Sequence, residues 1–66
     1  MQILINGQPH PLPAPLTVAA LIESLGLAGR RLAVEVNQAI VPKSAHATHE
    51  LRDGDRVELV QAMGGG

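Results

Sequence analysis

Residues 16–26 carry the apolar period of an amphipathic helix, and this segment limits the folds that the chain can adopt. Thr17 is the expected N-cap, and Gly26 stands where a residue of left-handed conformation often ends a helix. The apolar residues follow the spacing i, i+3, i+4 and i+7: Val18, Leu21, Ile22 and Leu25. Because one helix of this length is not stable alone in water, it must cover a sheet.

The first two strands of that sheet are predicted on either side of Asn6-Gly7, a strong hairpin signal because both residues tolerate positive φ. Within residues 9–15 proline recurs at every other position. Because proline has no backbone N–H, this segment lacks hydrogen-bond donors along one side of a strand, and that side cannot pair with another strand. We therefore expect an edge strand in which His10, Leu12 and Ala14 pair inward. A polyproline-like loop is the alternative for this segment.

Further strand-like runs follow the helix at residues 32–37, 39–41 and 56–61, with Asn37-Gln38 as a turn. A polar, irregular connection with a possible helical turn is expected between the last two runs, followed by an Asp-Gly turn. Strand alternation directs one set of aliphatic side chains toward the helix: Leu32, Val34, Val36, Val57 and Leu59.

These elements predict one α+β domain over residues 1–66, in which a mixed sheet of four to five strands is covered by one main helix. The first and last strands are expected to be neighbours in the middle of the sheet. The prolines place the second strand at an edge, where they also hinder edge-to-edge aggregation.

The composition excludes several functions. The chain contains no cysteine, so a disulfide, a thiolate metal site and a cysteine nucleophile are ruled out. It contains no aromatic residue, so bases cannot stack on it, and its formal net charge is −1 with the signs interspersed. We expect neither nucleic acid nor a membrane as a partner. Without a spanning apolar run or a signal-peptide pattern, the expected location is the cytoplasm.

His46 and His49 raise the question of a metal site, since they lie three residues apart with Glu50 nearby. Two histidines without a well-placed third ligand are a weak basis for such a site. A solvated loop is therefore favoured, and no bound metal or cofactor is predicted.

The sequence ends in Met63-Gly64-Gly65-Gly66, which predicts a flexible tail over residues 63–66. Three extended glycines reach about 10 Å, and an α-carboxylate on Gly66 would be ionised at neutral pH. Such a tail could carry a carboxylate into a narrow active site on another protein. A frayed terminus is the alternative interpretation.

Several motifs together resemble a known family. They are Met1-Gln2-Ile3, Val34-Glu35-Val36-Asn37, Ile40-Val41-Pro42, the run over residues 51–58 and the final Gly65-Gly66. The order of elements resembles the ubiquitin-like β-grasp fold, and the combination of motifs resembles the ThiS family of sulfur carriers in thiamine biosynthesis. Gln38 replaces the glycine that is usual in that family's turn, which leaves the turn type open.

The resemblance implies a carrier, or co-substrate, and not an enzyme. An E1-like adenylyltransferase (ThiF-like) would use ATP to convert the Gly66 carboxylate to an acyl adenylate. Sulfur from a persulfide on a donor protein would then form a thiocarboxylate, and a thiazole synthase (ThiG-like) would take up that sulfur. Gly64, Gly65 and Gly66 would enter the partner active sites. No cofactor would be bound, and the free protein would be a monomer.

Leu4, Val60 and Met63 are the candidate partner-docking residues. Alternation directs Leu4 and Val60 away from the helix, and adjacent first and last strands would bring them into an apolar patch near the tail. Two scattered surface aliphatics are the alternative. Two other functions remain open, a sulfur carrier similar to the small subunit of molybdopterin synthase and a non-catalytic β-grasp module that binds proteins.

Overall fold

The computed structural model describes residues 1–61, which form one mixed sheet with a helix packed on one face. In chain order the elements are β1 (Gln2–Ile5), β2 (Gln8–Pro11), α1 (Val18–Ser24), β3 (Leu32–Val36), β4 (Ala39–Ile40), a 3₁₀ turn (Lys43–Ala45) and β5 (Arg56–Gln61). The sheet order is β2-β1-β5-β3-β4, with β1 and β5 parallel and the other pairs antiparallel. The predicted fold class and the central position of the first and last strands are confirmed.

Two tight hairpins connect neighbouring strands. Asn6 and Gly7 have φ values of 49° and 82°, and Asn37 and Gln38 have values of 53° and 70°. Positive φ at both central residues is the pattern of the type I′ turn, whose twist matches that of the flanking strands. Gln38 therefore adopts the left-handed conformation that glycine would reach more easily, and the second turn keeps the hairpin type.

The edge strand β2 is shorter than the proline pattern predicts. His10 pairs with Ile3, and Leu12 continues the contact as its N–H donates to the Met1 carbonyl at 2.7 Å. The expected inward pairing of Ala14 is wrong. The chain leaves the sheet after Leu12, because it bends at residues 13–14 and no strand partner lies beside Ala14 within residues 1–61.

Helix α1 is closed at both ends by the residues that the sequence indicates. Thr17 Oγ accepts a hydrogen bond from Ala20 N–H at 3.1 Å. Gly26 has φ 74°, its N–H donates to the Glu23 carbonyl, and the Leu27 N–H donates to the Ile22 carbonyl at 3.0 Å. These two bonds form a Schellman motif, so the helix is shorter than residues 16–26 because its flanking residues are caps.

The polar connection before β5 is bound to the helix. The carbonyl of His49 accepts from Val18 N–H at 2.9 Å, and that of His46 accepts from Ala19 N–H at 2.8 Å. His46 Nε2 also lies 3.1 Å from the Val41 carbonyl. Both histidines thus belong to a segment whose backbone satisfies free N–H groups at the start of α1.

The core between α1 and the sheet is aliphatic. Leu21 projects from the middle of the helix and is fully excluded from solvent at 0% exposure. The buried residues come from every layer of the fold: Ile3, Leu12, Val18, Leu21, Ile22, Val34, Val36, Val41, Leu51 and Val57.

Over residues 1–61, no helix combines the length and the apolar character needed to cross a membrane.

We expect Leu21→Ala to unfold most of the protein at 37 °C. A buried Leu→Ala change costs about 2–5 kcal/mol, and a domain of this size has roughly 3–5 kcal/mol in total. Ile40→Ala is the control, because Ile40 is 76% exposed and should lose little. Thermal melts and two-dimensional NMR spectra measure both variants. A well-dispersed native spectrum for Leu21→Ala would contradict the central role of this side chain.

Candidate functional site

The end of β5 is the place from which the chain continues into the predicted tail. Gln61 pairs with Leu32, and Val60 pairs with Ala33, so the last described residues are still part of the sheet. The predicted tail residues Met63, Gly64, Gly65 and Gly66 lie outside the described residues. The point from which residues 62–66 continue is therefore set by the contacts that hold β5.

Asn6 holds the end of β5 through its side chain. Its Nδ2 donates to the Leu59 carbonyl at 3.2 Å, and its Oδ1 accepts from Leu59 N–H at 2.9 Å. Backbone pairing of β1 with β5 ends at Ile5 and Val57. The amide of Asn6 thus takes the place of one further strand residue and extends the ladder toward Gln61.

Sequence reasoning identified Asn6 as a turn residue and missed this second role. The partner lies 53 positions away, so no local pattern reveals it. The available signal is the choice of asparagine over aspartate, because only the amide offers both a donor and an acceptor.

A second asparagine holds the start of β5. Asn37 Nδ2 donates to Asp55 Oδ1 at 3.0 Å, and Asn37 Oδ1 accepts from Arg56 N–H at 2.9 Å. Asp55 Oδ2 also accepts from Arg52 N–H at 2.8 Å, while Asp53 Oδ1 accepts from Gln2 N–H at 2.7 Å. The Val-Asn and Asp-Gly-Asp motifs therefore bind the turn at residues 37–38 to the turn at residues 52–55. These contacts position the start of β5.

The outer face of the sheet, opposite α1, carries the two candidate docking residues of the described chain. Leu4 is half-buried and lies level with Arg56, whereas Val60 is 58% exposed and lies level with Ala33. Four residues of strand separate these levels, or roughly 13 Å at about 3.3 Å per residue. Both side chains lie on the predicted face, but only Val60 is close to Gln61.

Ile40 belongs to the same outer face and was not predicted as a docking residue. It pairs with Glu35, which in turn pairs with Glu58 across β3 and β5. Its 76% exposure is the highest among the large aliphatic residues of the described chain. Aliphatic and charged side chains thus alternate across this face.

The histidine segment does not bring together a ligand set. In the part of the chain that the structure describes, no group of three or more His, Asp or Glu side chains lies close enough to hold a metal ion. His46 is instead engaged with the Val41 carbonyl.

Comparison with known proteins gives consistent matches over the whole chain. A family model described as the ThiS family matches residues 3–66. The sulfur carrier protein ThiS of Escherichia coli (strain K12) is 41% identical over 66 residues, which cover 100% of each chain. The crystal structure of the thiamine biosynthesis protein ThiS from Geobacter metallireducens has a TM-score of 0.86 and 32% identity, again with 100% of each chain covered.

This chain also matches a part of each of two thiazole synthases, which are longer proteins. That of Paramagnetospirillum magneticum is 46% identical over 66 residues. The chain spans 20% of the length of this protein and 20% of a second thiazole synthase, from Magnetococcus marinus. A similar segment therefore occurs both as a separate protein and inside a thiazole synthase.

We expect Asn6→Gly to loosen the end of β5. Glycine keeps the positive φ but removes both contacts to Leu59, which should lower stability by on the order of 1 kcal/mol and Tm by about 4–8 °C. Amide hydrogen exchange at Leu59 should accelerate, because its N–H loses the acceptor Asn6 Oδ1. The measurements are a thermal melt and exchange followed by NMR.

Gln38→Gly is the matched control for this change. It also replaces a residue of positive φ with glycine, but relieves strain without removing a contact to Leu59. Its Tm should equal or exceed that of the parent. Equal losses of Tm in both variants, with unchanged exchange at Leu59, would show that the Asn6 amide does not support β5.

Proposed function

Because the chain belongs to the ThiS family, we propose that it carries sulfur for thiazole formation in thiamine biosynthesis, as a thiocarboxylate on Gly66. The observation that carries this proposal is the match over the full length of a sulfur carrier protein, at 41% identity. The glycines at positions 64–66 match the chemistry, since they offer a carboxylate without side chains beside it.

The proposed reaction is driven by enzymes other than this protein. A carboxylate is a poor electrophile, so an E1-like adenylyltransferase first joins it to the AMP part of ATP, with release of pyrophosphate. The outer sulfur of a cysteine persulfide on a donor protein then attacks the acyl adenylate and displaces AMP, which is a good leaving group. A second thiol then attacks the donor cysteine sulfur of the resulting acyl disulfide, which releases the thiocarboxylate and leaves a disulfide on the donor. The chain acts in every step as co-substrate. This chemistry requires that Gly66 be the last residue of the protein in the cell, which its intact mass measures directly.

The described structure supports the proposal through the rigidity of the strand before the tail. Asn6 and Asn37 hold β5 at its two ends, and β3 pairs with it as far as Gln61. A rigid root limits the positions that a short tail can reach. This matters because reacting atoms have to approach within about 3–3.5 Å in the correct alignment.

The outer face is the proposed docking surface for the adenylyltransferase. Val60 lies on it next to Gln61, Leu4 lies farther along the same face, and Met63 follows in the chain. Exposed aliphatic groups near the tail root would bury against a partner while the tail enters its active site. Ile40 extends the same face on β4.

Thiazole synthase is the proposed acceptor of the sulfur. A thiazole synthase contains a segment 46% identical to this chain. Joining a carrier and its acceptor in one protein holds the two at high effective concentration. That benefit exists when the carrier and the synthase act on each other, which supports the same partnership for the present chain.

We expect tail variants to keep the stability of the parent and to lose sulfur transfer. Deleting Gly66 shortens the tail by roughly 3.3–3.6 Å, whereas a misplacement of about 1 Å can cost around a hundredfold in rate. Gly65→Val adds a branched side chain where a narrow channel would admit only backbone. Gly64→Ala should have a milder effect, since it lies farther from the reacting carbon.

The measurement pairs a thermal melt with intact mass after incubation with ATP, a persulfide donor, a thiol reductant and the adenylyltransferase. Replacement of oxygen by sulfur raises the mass of the parent, and the two severe variants should show no such change. If the Gly66 deletion gained sulfur at the parental rate, the terminal carboxylate would not be the working group. A strain that lacks this protein provides a second test. Restored growth with thiazole places the protein in thiamine biosynthesis, whereas restored growth with molybdenum cofactor places it in the pathway of molybdopterin synthase.

We expect Leu4→Asp and Val60→Asp to weaken binding to the adenylyltransferase while the domain remains folded. Each change places a charge on the outer face where aliphatic contact is proposed. Ala14→Asp is the control, because Ala14 is exposed on the connection after β2. Calorimetric titration gives the affinities, and melts check the fold, above all for the half-buried Leu4. Parental affinity in both variants would remove the outer face from the docking model.

A further inference from the structure

A groove of about 670 Å³ opens beside α1, between the loop that leads into β3 and the 3₁₀ turn. Its floor is aliphatic and includes Ile22, Ala28 and Leu32. The volume lies within the range of roughly 300–1,000 Å³ that is typical of ligand sites. The groove lies on the helix side of β3 and is separate from the outer face with Leu4 and Val60.

The rim of the groove collects most of the positive charge of the chain. Of the five Lys and Arg residues, three line the groove: Arg30, Arg31 and Lys43. Of the six Asp and Glu residues, only Glu23 is among its lining residues. In a chain of formal net charge −1, the groove is therefore a local positive region that attracts acidic groups.

One wall of the groove is a free edge of β3. Pairing with β4 runs from Val36 back to Val34, whose carbonyl accepts from Val41 N–H at 2.9 Å. At Pro42 the chain turns away into the 3₁₀ turn. Backbone groups alternate along a strand, so the N–H and C=O of Leu32 face this same edge. Within residues 1–61, no strand lies beside Leu32 on that side.

We propose that the groove binds an extended segment of a partner protein, in which acidic residues flank aliphatic ones. The segment adds to the edge of β3 as a short strand and pairs with the Leu32 backbone. Its aliphatic side chain fills the floor, and its carboxylates bind Arg30, Arg31 and Lys43. A small anion would use the charges alone, whereas an extended peptide uses the charges, the apolar floor and the strand edge together.

The bound segment would lie one strand away from the end of β5, because Leu32 pairs with Gln61 on its other side. A partner that receives the chain beyond Gln61 is therefore within reach of the groove. The binding does not depend on the sulfur chemistry proposed above, and it is tested without it.

The test is an NMR titration of the ¹⁵N-labelled full chain at low salt with a capped synthetic peptide. The peptide has an Ile-Val-Ile centre with two aspartates on each side, and the comparison peptide has lysines in their place. We expect saturable shifts of the Leu32, Ala33 and Lys43 amides with the acidic peptide only. Hydrogen exchange at Leu32 should slow as its N–H gains a partner.

Charge reversal provides the matched control. The double variant Arg30→Glu/Arg31→Glu should bind the acidic peptide about tenfold or more weakly, since two ion pairs become repulsions. Arg52→Glu/Arg56→Glu makes the same change of charge outside the groove and should stay within about twofold of the parent, so a general effect of net charge would show as equal losses.

Three results would overturn the proposal: no shifts with the acidic peptide, equal shifts with the lysine peptide, or equal losses in both double variants. Inorganic phosphate and ATP form the remaining arms. If either one reproduced the shifts at Leu32 and Ala33 and displaced the peptide, the groove would be a site for small anions and not for an extended segment.

Discussion

The fold depends on how β5 is held between two neighbours in the middle of the sheet. Its parallel contact with β1 contains only two residue pairs, Leu4 with Arg56 and Ile5 with Val57. The antiparallel contact with β3 contains five pairs. Asn6 compensates for the short parallel contact, because its side-chain amide binds both backbone groups of Leu59. A side chain thus completes a ladder that the backbone of β1 leaves unfinished.

The residues that position β5 differ from those proposed to carry the chemistry. Asn37, Asp53 and Asp55 bind backbone groups at the start of β5 and at the neighbouring turns. These residues carry much of the resemblance to the family, and their contacts explain why they indicate the fold. They do not by themselves indicate the chemistry. Sulfur transfer is instead proposed from the glycines at positions 64–66 and from a relative that matches over its full length.

Capping and turn residues predicted the helix and the strands well, because they act on residues that are only a few positions away in the sequence. Thr17 and Gly26 cap α1 as expected, and Asn6-Gly7 forms the first hairpin. Element ends were less accurate: the proline segment leaves the sheet after Leu12, because a strand extends only as far as it has a partner. Gln38 shows the opposite case, since the pairing of β3 with β4 holds it in a conformation that its side chain disfavours.

Long-range geometry was the part that the sequence could not supply. The alternation of side chains along a strand placed Leu4 and Val60 on one face. The sequence of neither strand determines which residues lie opposite each other in a parallel pair. Only the structure shows Leu4 level with Arg56 and Val60 level with Ala33. The contact of Asn6 with Leu59 and the presence of Lys43 in one groove with Arg30 and Arg31 likewise require the folded chain.

Two chemically different surfaces lie near Gln61, the last residue that the structure describes. On one side of the sheet lies Val60, an exposed aliphatic group on the outer face. On the other side lies the positive groove, which is lined by Leu32, the residue that pairs with Gln61. Aliphatic contact depends weakly on salt, whereas ion pairs at an exposed rim weaken as the Debye length shortens. Under the function and the groove binding proposed above, two surfaces of different chemistry near Gln61 would allow partners to be distinguished without any change in residues 62–66.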